Sequence, residues 1–183
     1  MIESIRKAVA ESAALKSTFF EANEERIAAL ARDICTALEG GNKIILFGNG
    51  GSAADAQHLA AEFVGRFQRE RRALPAIALT TDTSILTCVG NDYGFDQVFA
   101  RQVQALGRPG DVAIGISTSG NSPNVLLGIR AAGEMGLSTV GFTGKDGGSL
   151  GRLVGCHLCV AHHSTARIQE VHNDRTHPVP VGG

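Results

Sequence analysis

His58 and Glu62 stand four positions apart in a helix-forming segment, so both side chains leave one face with their Cβ atoms about 6 Å apart. An imidazole and a carboxylate at that spacing suit zinc or a similar metal, and a carboxylate beside a bound sugar suits proton transfer. Standing alone, such a pair is ordinarily a surface pair. A second group is Ser117-Thr118-Ser119-Gly120-Asn121-Ser122-Pro123-Asn124, in which four hydroxyls and a glycine fall between an apolar strand and a helix. Pro123 suits the first helical position and Ser122 the N-cap. Capping accounts for one hydroxyl and not for four, so the loop is read as a cradle of hydroxyls and backbone N–H groups for a phosphate dianion.

Further polar groups are less decided. Asn91 and Asp92, in Val89-Gly90-Asn91-Asp92-Tyr93-Gly94-Phe95, suit sugar hydroxyls and suit a turn or helix cap equally well. Gln169 and His177 are eight apart, so a continuous helix puts them on one face about 12 Å apart along its axis, while His172 points elsewhere. His162 and His163 read as exposed loop residues.

The elements that must position these groups begin with the apolar run Lys43-Ile44-Ile45-Leu46-Phe47, which breaks on Gly48-Asn49-Gly50-Gly51-Ser52 and enters a helix. A strand feeding a glycine loop and a helix N-terminus is an anion-binding layout. Gly48-x-Gly50-x-x-Ala53 also fits a relaxed dinucleotide fingerprint, but the next strand lacks the acidic residue at its end, where Thr80-Thr81 precede Asp82. No Gly-Lys-Ser/Thr follows, which excludes a Walker loop. Ser52 and Asp55 resemble a capping box.

The alternation continues as strand 43–47, helix 52–66, strand 76–79, a short helix near 83–89, helix 94–106, strand 111–116, helix 122–135, strand 138–142, a strand at about 153–161 and helix 165–172. Strands separated by helices imply right-handed crossovers and a doubly wound, mostly parallel α/β sheet, with ligands at the strands' carboxyl ends. Residues 2–39 read as N-terminal helices with the stripe Ile27, Leu30, Ile34 and Leu38. They precede the first strand, so they cover one end of the domain or pack against another copy of the chain.

The composition sets outer bounds. A chain of 183 residues with 43% hydrophobic composition fits one domain with a substantial core. Its net charge of −1 provides no basic field for nucleic acid or an anionic membrane. No apolar run approaches the roughly 20 residues of a membrane span, and Met1-Ile2-Glu3-Ser4-Ile5-Arg6-Lys7 has no signal-peptide layout, so a soluble cytoplasmic protein is expected. Cys156-x-x-Cys159 has no second pair and lies in a strand-like run, so it reads as buried thiols rather than a zinc knuckle.

Five segments occur in order: Gly48-Asn49-Gly50-Gly51-Ser52 with His58-x-x-x-Glu62; Val89 to Phe95; Ser117 to Ser122; Gly144-Lys145-Asp146-Gly147-Gly148; and Ile168-Gln169-Glu170-Val171-His172. Together they resemble the heptose-phosphate isomerases of the sugar isomerase, or SIS, domain family. The resemblance implies a SIS domain with flavodoxin-like layering over 1–183: N-terminal helices over 1–41, the α/β core over 42–172 and an atypical tail over 173–183. It implies interconversion of sedoheptulose 7-phosphate and D-glycero-D-manno-heptose 7-phosphate for bacterial surface glycans. It further implies that Asn49, Gly50, Gly51, Ser52, Glu62, Asn91, Asp92, Ser117, Thr118, Ser119, Ser122 and Gln169 contact the substrate. His58, Glu62, Gln169 and His177 correspond to ligands of one zinc ion per subunit, Glu62 to the base and His177 to the acid. The family implies a homotetramer with sites completed across subunits.

After His172 the sequence departs from that pattern, because Asn173-Asp174-Arg175-Thr176-His177-Pro178 offers no apolar face and Pro178 disfavours helical geometry at His177. Two outcomes stay open: the helix ends early with His177 still near the site, or the fourth ligand and the acid are lost. The alternative to an isomerase is a non-catalytic SIS protein that binds a phosphosugar or a replication-initiator partner. A nucleotide-dependent dehydrogenase rests on the glycine pattern alone.

Overall fold

The computed structural model describes residues 1–66 and 70–175, with the backbone alone for 173–175. Its centre is a five-stranded parallel sheet in the order β2-β1-β3-β4-β5. The strands are β1 (Ile44–Gly48), β2 (Ala76–Ala78), β3 (Val112–Ser117), β4 (Ser138–Gly144) and β5 (Cys156–Val160). The helices are α1 (Ile2–Glu39), α2 (Gly51–Val64), α3 (Thr83–Tyr93), α4 (Val98–Leu106), α5 (Pro123–Glu134), α6 (Gly148–Leu153) and α7 (Thr165–Arg175), with a 3₁₀ turn at Phe95–Gln97.

Successive side chains of a strand face opposite sides of a sheet, and the buried runs divide accordingly. Ile44 and Leu46 of β1 join Ile114, Ile116, Phe142 and Leu158 in one core under α1, α2 and α7. Ile45 and Phe47 enter the other, with Val98, Phe99, Val103, Val125, Ile129 and Leu150 of α4, α5 and α6. Both faces are therefore covered, as an all-parallel sheet requires.

The expectation of several N-terminal helices is corrected: residues 2–39 form one helix of 38 residues. Its C-terminal half carries the expected stripe, with Leu30 and Leu38 buried and Ile27 and Ile34 packed against the core. Near its start, Ile2, Ile5 and Val9 are exposed. The helix expected near 83–89 runs on to Tyr93, so Asn91 and Asp92 stand on its last turn rather than in a loop. A further helix, α6, occupies 148–153, where none was expected.

The chain moves outward from β1 in both directions, to β2 on one side and to β3 on the other. The switch point therefore lies between β1 and β3, and the loops leaving their carboxyl ends border one crevice, where open α/β sheets bind ligands. Those loops are the glycine loop and the hydroxyl loop.

Candidate functional site

Close packing dictates the turn out of β1. A methyl on Gly48 would lie 2.8 Å from both Ile116 O and Ser52 Cβ, so only glycine lets the chain turn beside β3. Gly50 has φ +57 and is the N-cap of α2, with its carbonyl accepting from the N–H groups of Ala53 and Ala54. The capping box expected of Ser52 and Asp55 does not form: α2 begins at Gly51 without a side-chain cap, and both residues are buried inside its first two turns.

Across the crevice, Ser122 is the N-cap of α5 with Pro123 at the helix start, but its hydroxyl makes no capping bond. Ser122 Oγ instead lies 2.9 Å from Ser117 Oγ, which is 3.4 Å from Ser119 Oγ. Ser119 Oγ accepts from Asn121 N at 3.2 Å. Three of the expected hydroxyls thus converge, at the end of β3 and the start of α5. Gly120 (φ +66) makes the turn possible, because a side chain there would run into the Gly147 carbonyl.

The two loops are tied together by Asn49 and Asn124, whose side-chain amides exchange hydrogen bonds of 2.8 and 2.9 Å. Asn124 Oδ1 also accepts from its neighbour Val125 N. In the sequence Asn124 is marked only by an amide side chain at the start of the helix behind the hydroxyl loop.

Gln169, on α7, meets the glycine loop from the same side of the sheet as α2: a methyl on Gly51 would overlap its carboxamide. His58 Nδ1 and Glu62 Oε1 are 4.0 Å apart further along α2, with the His58 side chain 48% exposed and that of Glu62 22%. The last turn of α2 is held by Arg71, which donates to Glu62 O at 2.7 Å and Phe63 O at 2.9 Å. Asn91 Nδ2 donates to Asp92 Oδ1 at 2.8 Å, and both are exposed. Asp82, in the region where a dinucleotide fold wants a ribose acid, caps α3 by accepting from Ile85 N.

The expected zinc centre is corrected. Among the described residues no group of three or more His, Cys, Asp or Glu side chains comes together to hold a metal ion. The physical reason lies in α2: Gln169 lies against Gly51, seven residues and about 10 Å along the axis from His58. His177, the remaining expected ligand and acid, lies outside the described residues. His172 is buried with Nε2 3.0 Å from Thr143 O, on the strand next to β3. His162 pairs with Glu11 at 3.3 Å, and His163 is exposed. The expected burial of Cys156 and Cys159 is only partial, and both thiols are free.

No helix among the described residues is long and apolar enough to cross a membrane. The SIS domain family matches residues 9–144. A phosphoheptose isomerase of Aquifex aeolicus (strain VF5) is 57% identical over 172 residues, covering 94% of this chain and 90% of the relative. Two solved structures superpose on nearly the whole chain. That of a phosphoheptose isomerase from Neisseria gonorrhoeae has a TM-score of 0.90 at 47% identity, covering 96% of this chain and 94% of the other. That of one from Francisella tularensis has a TM-score of 0.92 at 37% identity, with the same coverage. The fold is thus shared over nearly the whole chain with two solved phosphoheptose isomerases, and the chain belongs to the SIS domain family, on its phosphoheptose isomerase branch.

Proposed function

We propose that the protein is an aldose–ketose isomerase that interconverts sedoheptulose 7-phosphate and D-glycero-D-manno-heptose 7-phosphate in bacterial heptose synthesis. The observation that carries this reading is the switch-point crevice, where a loop of converging hydroxyls faces a glycine loop in a chain so similar to named phosphoheptose isomerases. Residues 1–183 act as one SIS domain.

Ser117, Thr118, Ser119 and Ser122 hold the phosphate. The hydroxyls of Ser117, Ser119 and Ser122, turned toward one another and not used for capping, can donate to phosphate oxygens. This grip is remote from the reacting carbons, and its binding energy orients them. Asn49, Gly50, Gly51 and Ser52 line the sugar, and Asn91 and Asp92 engage its hydroxyls.

Glu62 removes a proton from C1 of the open-chain ketose and returns it at C2, passing through an enediol. The carboxamide of Gln169, beside the start of α2, contacts the sugar phosphate at the glycine-loop end of the crevice. His58 stands next to Glu62 and orients it. His177 serves as the acid for the carbonyl oxygen.

The active form is a homotetramer. Exposed Ile2, Ile5 and Val9 on α1, and exposed Tyr93 and Phe95 beside Asn91 and Asp92, are apolar surfaces suited to other copies. Light scattering on the purified protein gives four times the mass of one chain; a monomer removes this part of the reading.

The deciding experiment incubates the protein with sedoheptulose 7-phosphate and follows the aldose product by NMR. Binding without turnover removes the enzyme reading and leaves a phosphosugar-binding SIS protein.

A further inference from the structure

We propose that His157, on β5, is a positioning residue for the hydroxyl loop and sets its affinity for phosphate. The proposal deepens the phosphosugar reading above and rests on it for the site's location.

The imidazole fills the space beneath the start of α6. Its Nε2 lies 2.7 Å from Thr143 Oγ1 on the neighbouring strand. A methyl on Gly147 would come 2.6 Å from its Cε1, and one on Gly151 would overlap the ring. The ring is therefore a flat support under the first turn of α6, and the two glycines are what allow it to fit.

That turn touches the hydroxyl loop directly. A methyl on Gly148 would stand 2.7 Å from both Gly120 O and Ser119 O. Leu150 N donates to Gly120 O at 2.8 Å, and Ser149 N donates to Asn121 Oδ1 at 2.9 Å. Asn121 N in turn donates to Ser119 Oγ. A continuous path thus runs from the imidazole through Gly147–Leu150 to the Ser119 hydroxyl, without His157 itself reaching the crevice. Interdigitated contacts of this kind pass on a shift rather than absorb it.

The strand beneath does not need the ring. Arg26 Nη1 donates to His157 O at 3.1 Å, and β5 is registered on β4 through Gly141 opposite His157. Removing the imidazole takes the support from α6 while leaving the backbone of β5 paired.

Two variants of the whole chain, His157→Ala and His157→Gln, test this by calorimetric titration with inorganic phosphate and by steady-state kinetics on sedoheptulose 7-phosphate. In His157→Ala the phosphate Kd and the KM both rise about tenfold, while kcat changes less than about threefold. Glutamine places an amide nitrogen near the Nε2 position and restores most of the affinity. A phosphate Kd unchanged in His157→Ala overturns the proposal, as does a glutamine variant no better than alanine. A fall in the urea midpoint with unaltered phosphate affinity does the same, since it makes His157 purely structural. Thr143→Val keeps the side-chain shape and removes the partner of Nε2; it too raises the Kd, and an unchanged value overturns the proposal. If the unmodified protein binds phosphate but turns nothing over, the isomerase reading falls while the phosphate titration still decides the role of His157.

Discussion

Asn49 and Asn124 exchange amide hydrogen bonds of 2.8 and 2.9 Å across the switch point, joining the loop that leaves β1 to the helix that follows β3. Both residues sit at the carboxyl end of the sheet, where the fold opens, so their pairing sets the width of the crevice between the glycine and hydroxyl loops. Asn124 is buried and carries a third bond, from Val125 N.

Asn124→Ala leaves the Asn49 amide and the Val125 N–H without these partners. The expected cost is about 1–3 kcal/mol, the desolvation penalty of such groups. The urea midpoint falls, and KM for the heptose phosphate rises because the loops part. Unchanged midpoint and KM in this variant contradict the tie.

Much of the scaffold was legible in the residues. Ile44 to Phe47 form a short apolar run between breakers, and both of its faces are buried as a central parallel strand demands. The Ile27, Leu30, Ile34 and Leu38 stripe turned inward as its period required. The misses have physical causes. Gly90, Asn91 and Asp92 favour turns locally, yet α3 continues through them, with Leu86 and Val89 packed on the core. The segment of α6 spans six residues, two of them glycines, Gly148 and Gly151, too weak a local signal to compete with a loop. The meeting of Gln169 with Gly51 is a long-range contact between α7 and α2, and spacing along α7 pointed instead to an alignment of Gln169 with His177.

Gly51→Ala separates that contact from overall stability. The added methyl overlaps the Gln169 carboxamide, which can swing away because it is the end of a flexible side chain. Stability stays within about 1 kcal/mol of the parent, while kcat/KM falls about tenfold or more as the amide leaves its place. Combining Gly51→Ala with Gln169→Ala adds little to the loss, since both remove one interaction. Additive losses place the role of Gly51 elsewhere.

Glu62→Gln keeps the shape of the side chain and removes its basicity. Turnover falls at least about 100-fold if this carboxylate carries the proton between C1 and C2. The Kd for inorganic phosphate stays within about twofold, because the hydroxyl loop leaves β3 on the far side of the crevice from α2. Isotope exchange from solvent water into C1 or C2 provides a second readout and disappears with turnover. A variant that still exchanges the proton takes the base role from Glu62.

Burial pushes the thiol of Cys156 above its ordinary value of 9.0; Arg26 opposes the shift and Asp33 adds to it. Burial, then Glu39, pushes Cys35 the same way. At pH 7 these thiols are protonated in both folded and unfolded chains and contribute no pH dependence. As the pH rises past the unfolded value, the unfolded thiols ionise while the folded ones hold their protons, so unfolding is favoured and stability falls. The urea midpoint therefore declines between about pH 8.5 and 10, and less steeply in Cys156→Ala. Iodoacetamide at pH 8 followed by peptide mapping gives the kinetic counterpart: exposed Cys88 is alkylated first and Cys156 slowly, because the thiolate is the reactive form and burial suppresses it. Equal labelling of the two, together with parallel pH profiles for parent and variant, contradicts the shift at Cys156.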